Sequence, residues 1–314
     1  MSTYTKFNKK VIMSSPLKQT INTLNTVLLG KEHQVKLSLT CLLARGHLLI
    51  EDIPGLGKTT LSHALANCLG LSYNRIQFTS DLLPSDLLGI NIFDKNKAEF
   101  IFHPGPVFSQ LVLADEINRA TPKAQSALLE AMEERQVTIE GVTRPLPSPF
   151  FVIATQNPLE QSGTYPLPES QLDRFLMRVS LGYPAPQSEK ELLLGVDRRD
   201  IIKELSATLP YDTLLSLQQQ VDNITATEPL IGYIQRIILY TRENAPYGHG
   251  LSPRGGLALL KAAKAWALVE GRNSVLPDDI QAVLPSVVEH RLGASGSGIN
   301  QSTSNKIIQA VDIF

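Results

Sequence analysis

The 314-residue sequence predicts an α/β chain, a parallel sheet covered by helices on both faces, followed by an all-helical domain. Three observations carry this. Short apolar runs alternate with amphipathic helical patterns from residue 16 to about residue 184. Two turn-centred stretches with alternating arms interrupt that succession. Beyond Glu189 only helical spacing remains, up to Arg291.

Residues 1–15 are polar and read as a loose amino terminus. Ile21, Leu24, Val27 and Leu28, then Val35, Leu37, Leu39 and Leu42, fall at helical spacing, with Gly30 separating two helices. "HLLIED" (47–52) is a strand that runs into a Gly-rich loop, and "TTLSHALANCLG" is a helix stopped by Gly70. "NRIQF" (74–78), "QLVLADE" (110–116), "FFVIATQN" (150–157) and "FLMRVSL" (175–181) are the other strands. Between the third and fourth, Ala127, Leu128, Ala131 and Met132 mark one face of a helix. Residues 89–108 fold around Asp94–Lys97, and residues 135–149 around Glu140-Gly141, each as a hairpin. "YPAPQSEK" (183–190) is a Pro-rich hinge. The expected division is an α/β core over 16–184, a helical lid over 185–292 and a tail over 293–314. The tail begins with a flexible "GASGSGIN" and ends in a short helix or strand.

Composition narrows the classes. With 43% hydrophobic and 19% charged residues the chain has material for a sizeable core. A net charge of -1 argues against a general nucleic-acid binder. Cys41 and Cys68 lack C-x-x-C spacing and read as buried thiols, the usage of a reducing cytoplasm. The six histidines show no metal-ligand spacing. "MSTYTKFNKK" is not followed by the apolar run of a signal peptide, and the most apolar stretch is broken by Arg45, Gly46 and His47. A soluble, cytoplasmic protein without a membrane span is expected.

The chemistry gathers at strand ends. "EDIPGLGKTT" (51–60) matches G-x-x-x-x-G-K-[ST] except at Asp52, where the pattern has Gly. Gly55, Leu56 and Gly57 form a loop whose N–H groups can cradle phosphate, provided no side chain obstructs it. Lys58 supplies a point charge to the β- and γ-phosphates, the Thr59 hydroxyl a Mg²⁺ ligand, and Thr60 the next turn of a helix whose amino end favours anions. The loop alone is equally a Gly-rich strand-to-helix turn. "LVLADE" changes the balance: Asp115 suits the Mg²⁺ shell, and Glu116 suits polarising the attacking water. Asn157 closes the fourth strand and offers a neutral amide to that water, or only caps the turn before Pro158. Arg174 in "QLDRF" and Arg254 in "LSPRGG" are two further cations, each equally readable as a salt-bridged surface arginine.

With these residues in place, the sequence resembles the AAA+ ATPases, and within them the MoxR family. The resemblance rests on "EDIPGLGKTTL", "QFTSDLLPSDLLG", "FHPGPVFSQLVLADEINRATPKAQSALLEAMEERQVTIEG", "FVIATQNPLEQSGTYPLPESQLDRFLMRV" and "LSPRGGLALLKAAKAWALVEGR", and covers roughly residues 16 to 292. It implies that the hairpins are a helix-2 insert and a pre-sensor-1 hairpin. It implies that Asn157 is sensor 1, that Arg254 is sensor 2 on the lid, and that Arg174 is an arginine finger acting in trans, with Arg178 as the other candidate. A ring, typically a hexamer, follows, with ATP/ADP and Mg²⁺ as ligands. So does chaperone-like action on a protein client, often one with a von Willebrand factor A domain.

The competing reading is a nucleic-acid motor, whose hairpin tips would carry basic and aromatic residues. The tip "TIEGVTRP" carries Glu140, with Arg144 as the nearby cation. Asp52 sits where the strand leaves the sheet, so its carboxylate is expected to turn from the phosphates toward a backbone N–H or a cation.

Overall fold

The computed structural model describes residues 15–159, 163–195, 197–244, 250–292 and 302–313. The loose amino terminus and the "GASGSGIN" stretch expected from sequence lie outside these, Ser15 apart. Helices α1 (Ser15–Val27) and α2 (Glu32–Leu43) precede strand β1 (Leu48–Glu51) and helix α3 (Lys58–Leu69). Then come β2 (Tyr73–Gln77), α4 (Pro84–Leu88), the hairpin β3 (Gly89–Asp94) and β4 (Glu99–Pro104), β5 (Leu111–Asp115) and α5 (Pro122–Glu134). The hairpin β6 (Gln136–Ile139) and β7 (Val142–Pro145), strand β8 (Phe151–Gln156), α6 (Glu169–Leu172) and β9 (Met177–Val179) complete the core.

The five core strands form one parallel sheet in the order β2-β5-β8-β1-β9. Strand β5 is buried throughout and reads as a continuous apolar run, as a sheet covered on both faces requires. One face packs on α1, α2, α3 and the later helices; the other packs on α5 and the base of the hairpins, with Phe78, Val107 and Phe175 between them. The chain jumps from β1 across β8 and β5 to β2 through α3. The carboxyl ends of β1, β8 and β5 therefore open side by side, where α/β sheets bind ligands.

The helical part comprises α7 (Pro186–Leu194), α8 (Arg198–Glu204), α9 (Tyr211–Asp222), α10 (Glu228–Glu243), α11 (Pro253–Val269), α12 (Pro277–Val288) and α13 (Ser302–Ala310). One difference from the sequence reading is instructive. The Pro-rich hinge is shorter, because Pro186 takes the first helical position, where its missing N–H costs nothing. Of the short helix or strand expected at the carboxyl end, the structure has the helix; it buries Ile307, Val311 just beyond it is also buried, and Arg236 donates to the Asp312 and Ile313 carbonyls. Among the described residues no helix is long and apolar enough to cross a membrane.

His47 joins the two layers at the amino-terminal edge of the sheet. Its Nδ1 accepts from Val152 N–H at 3.0 Å and its Nε2 donates to the Met132 carbonyl at 3.2 Å, so the neutral ring is fully used. Burial pushes the imidazole from 6.5 down to about 4. The folded state thus refuses a proton that the unfolded chain accepts, and stability present above pH 6.5 is lost as pH falls toward 4. This residue alone is expected to remove on the order of 2 kcal/mol between pH 7 and pH 5. Denaturant unfolding of His47→Gln should show a correspondingly shallower pH dependence; an unchanged one would contradict the assignment.

Candidate functional site

Gly55 and Gly57 both have left-handed backbones, φ +87° and +91°. A Cβ at Gly55 would meet no protein atom within 4 Å, and one at Gly57 nothing nearer than 3.7 Å. The glycines are therefore required by backbone conformation rather than by crowding within the protein, a different reason from the one read in the sequence. Gly57 caps α3, whose first residue, Lys58, is buried to 8% exposure. Lys58 Nζ donates to the Asp52 carbonyl at 2.6 Å, while Thr59 is exposed at the mouth of the loop.

Asp52 itself faces away from the loop. Its Oδ2 accepts from Leu181 N–H (2.6 Å), Gly182 N–H (2.9 Å) and the Ser180 hydroxyl (3.1 Å). Its own backbone lies outside the left-handed region, so the chain conformation does not call for Gly there.

Two strands away, β5 delivers the acids. Asp115 Oδ1 accepts from the Thr155 hydroxyl at 2.6 Å and its Oδ2 from Arg75 at 2.7 and 3.1 Å. Glu116 adopts a left-handed conformation at φ 57°, a strain of about 1 kcal/mol for a non-glycine residue. Its surroundings hold it there. Its N–H donates to Thr155 Oγ1, and the buried Gln125 amide donates to the Ile117 and Ala120 carbonyls of the same turn. The carboxylate accepts from Gln77 Nε2 at 2.8 Å and lies 3.2 Å from Arg119 Nε. Asn157 is 6% exposed at the end of β8, and its Oδ1 accepts from Leu159 N–H. It does cap the turn, and it stands between the loop and the acids.

The two further arginines are elsewhere. Arg254, at the first turn of α11, donates to Glu133 at 2.5 Å and lies 3.7 Å from Asp173. Arg174 donates to the Leu129 carbonyl at 2.5 Å. Glu133 and Asp173 belong to the amino-terminal edge of the sheet, beside His47 and the start of β9. A whole strand, roughly 13 Å for the four residues of β1, separates this edge from the loop. Arg254, on the helical lid, therefore does not stand over its own chain's loop. Arg254 is near neighbour to Arg174, both of them around Asp173. Arg178 lies on β9, paired with Glu51 at 2.8 Å, both nearly buried. Breaking a buried pair leaves an uncompensated charge, so Arg178 is poorly placed to reach another molecule.

The protein groups present fit a nucleoside triphosphate: two left-handed glycines, a buried lysine and the amino terminus of a twelve-residue helix converge on one edge. Thr59 and Asp115 supply hard oxygen donors, few in number, as Mg²⁺ requires when phosphates and water complete its shell. Residues that sequence reasoning missed are Arg75, Gln77 and Thr155, which hold the acids. Polar residues at the ends of neighbouring strands were the available signal for Gln77 and Thr155.

Comparison with known proteins agrees with this geometry. Residues 47–177 match the family described as ATPase family associated with various cellular activities (AAA), and residues 239–311 match the AAA lid domain. The chain is 48% identical over 276 residues to YeaC of Bacillus subtilis (strain 168), covering 88% of this chain and 86% of that one. It is 40% identical over 303 residues to Chaperone MoxR1 of Mycobacterium tuberculosis, covering 93% and 79%. A crystal structure of a Cytophaga hutchinsonii protein superposes with a TM-score of 0.86 at 38% identity, covering 97% and 96%.

Proposed function

The chain belongs to the MoxR family of AAA+ ATPases, and from that premise we propose that it hydrolyses Mg²⁺-bound ATP in a ring of identical subunits to remodel a protein client. The observation that carries the ring is the separation within one chain. Lys58, Asp115 and Glu116 share the carboxyl edge of the sheet, whereas Arg174 and Arg254 share the opposite edge. Two arginines that cannot reach their own loop suit a neighbour's, so the site is assembled between subunits, with a hexamer as the expected closed form.

In this mechanism Lys58 and the loop N–H groups bind the phosphates. Thr59 and Asp115 would hold Mg²⁺, which would supply positive charge to the phosphate oxygens. Glu116 accepts the proton of the attacking water, and Asn157 orients that water. The neighbour's Arg174 and Arg254 stabilise charge on the transferred group. Arg75 holds the Asp115 carboxylate that would meet the cation, and Gln77 and Arg119 hold the Glu116 carboxylate.

The client reading is supported by the hairpins. On β3 and β4, Ile90, Ile92, Phe93 and Phe100 are all at least 45% exposed, an apolar surface of the kind that marks an interaction site. The tip between them carries Asp94, Lys95, Lys97 and Glu99, which sum to zero charge and favour polypeptide over nucleic acid. Chaperone MoxR1 carries that role in its name, and a client with a von Willebrand factor A domain follows from the family resemblance. The cytoplasm is the fitting compartment, with Cys41 and Cys68 both free and buried.

Glu116→Gln protein with ATP and Mg²⁺ should capture a client carrying such a domain, and Phe100→Asp in that background should lose it while ATP binding stays. Equal capture by Lys58→Ala protein, or ATPase activity that rises with DNA, would contradict the proposal.

A further inference from the structure

We propose that Asp52 is a positioning residue that couples the nucleotide loop to residues 180–183, the connection through which the α/β core passes into the helical part. This rests on the nucleotide-site reading above and goes beyond it.

Asp52 acts at both ends. Its backbone carbonyl accepts from Lys58 Nζ, which orients the amine. Its carboxylate, 9% exposed, takes both N–H groups of Leu181 and Gly182 and the Ser180 hydroxyl. The other side of the same stretch is held by Lys31. Its Nζ is 2.7, 2.9 and 2.7 Å from the carbonyls of Leu181, Gly182 and Tyr183, and the side chain is 7% exposed. Burial lowers the Lys31 pKa and the field of Asp52 raises it, so the two charges sense each other across the peptide groups they hold.

The arrangement is polar and directional. The peptide group joining Leu181 and Gly182 lies between a buried carboxylate and a buried ammonium, its N–H toward one and its C=O toward the other, and the flanking groups add one bond to each side. Few arrangements hold an irregular stretch more firmly, because each buried charge would be unsatisfied if the stretch moved away. Lys31 directly follows Gly30 and is the residue that caps the amino end of α2. The phosphate loop reaches residues 180–183 through Lys58 and Asp52, and the start of α2 reaches them through Lys31. Three residues past Tyr183, helix α7 begins, so a shift of this stretch moves the first helix of the lid. The carboxylate at a position where the loop pattern has Gly is thereby explained: Gly would make the same loop and no link.

The test measures ADP affinity and amide hydrogen exchange at Leu181 and Gly182, with and without saturating ADP, in the wild type, Asp52→Asn and Asp52→Gly. ADP should slow exchange at both amides in the wild type by at least about fivefold, the low end of ordinary site-to-site coupling. In Asp52→Gly, ADP should still bind within about threefold of the wild-type affinity while the exchange response disappears, with Asp52→Asn between the two. A full ADP response in Asp52→Gly would overturn the coupling, as would ADP binding to wild type with no response at these amides. Wild-type protein that does not bind ADP would instead overturn the nucleotide-site reading beneath it.

Discussion

Glu116→Gln is expected to bind ATP as the wild type does and to lose turnover, with kcat falling by about 100-fold or more. Nothing that holds the phosphates is altered, since Gly55, Gly57, Lys58 and the amino end of α3 lie on another strand's loop. What changes is one carboxylate. Gln matches its shape but accepts no proton, and it can still meet the Gln77 amide through its oxygen. The left-handed turn that aims residue 116 is set by Thr155 and Gln125, which the substitution leaves in place. Phosphate release and equilibrium binding of a fluorescent ATP analogue measure the two properties separately. Normal phosphate release would remove Glu116 from the role of base.

Lys58→Ala acts on the other property. The amine donates to the Asp52 carbonyl at the base of the loop, and it is expected to donate to phosphate oxygens when nucleotide is bound. Loss of two charge-assisted hydrogen bonds, each worth about 1.5 to 3 kcal/mol, predicts a rise in the ATP dissociation constant of about 100-fold or more. The fold should persist, because α3 is anchored by Leu61, Ala64, Leu65 and Leu69 in the core rather than by its first residue. Binding within about threefold of the wild type would show that the loop is not where the phosphates sit.

The parts of the site that lie within a few residues of one another were legible in the sequence. The loop and the acid pair are local patterns, and each strand that carries them ends where its apolar run ends. The hairpins were legible for the same reason, since a polar turn with alternating arms is a short-range signal. What was not legible depends on partners distant in sequence. Gln77 meets Glu116 only because β2 pairs beside β5, a neighbour set by the crossover rather than by sequence order. Arg254 read as a cation on the lid with no stated partner, and only the packing of α11 against the amino-terminal edge places it beside Glu133 and Asp173. Asp52 was correctly expected to turn toward a backbone N–H, but its partners lie about 130 residues away, at 180–182. Pro186 was read as part of a hinge because proline punctuates both loops and helix starts, and only the following turn distinguishes them.

The measurement that reaches the central claim most directly is ATP hydrolysis by a mixture. Lys58→Ala protein lacks the phosphate grip and Arg174→Ala lacks the cation contributed across the interface, so each alone should be nearly inactive. If the site is shared between subunits, mixed assemblies contain interfaces with an intact Lys58 on one side and an intact Arg174 on the other. Mixing the two should restore about a quarter of wild-type activity for random pairing at equal amounts, provided subunits exchange, which labelled protein can verify. Exchange with no recovery, or full activity of Arg174→Ala alone, would contradict a site completed by the neighbouring subunit.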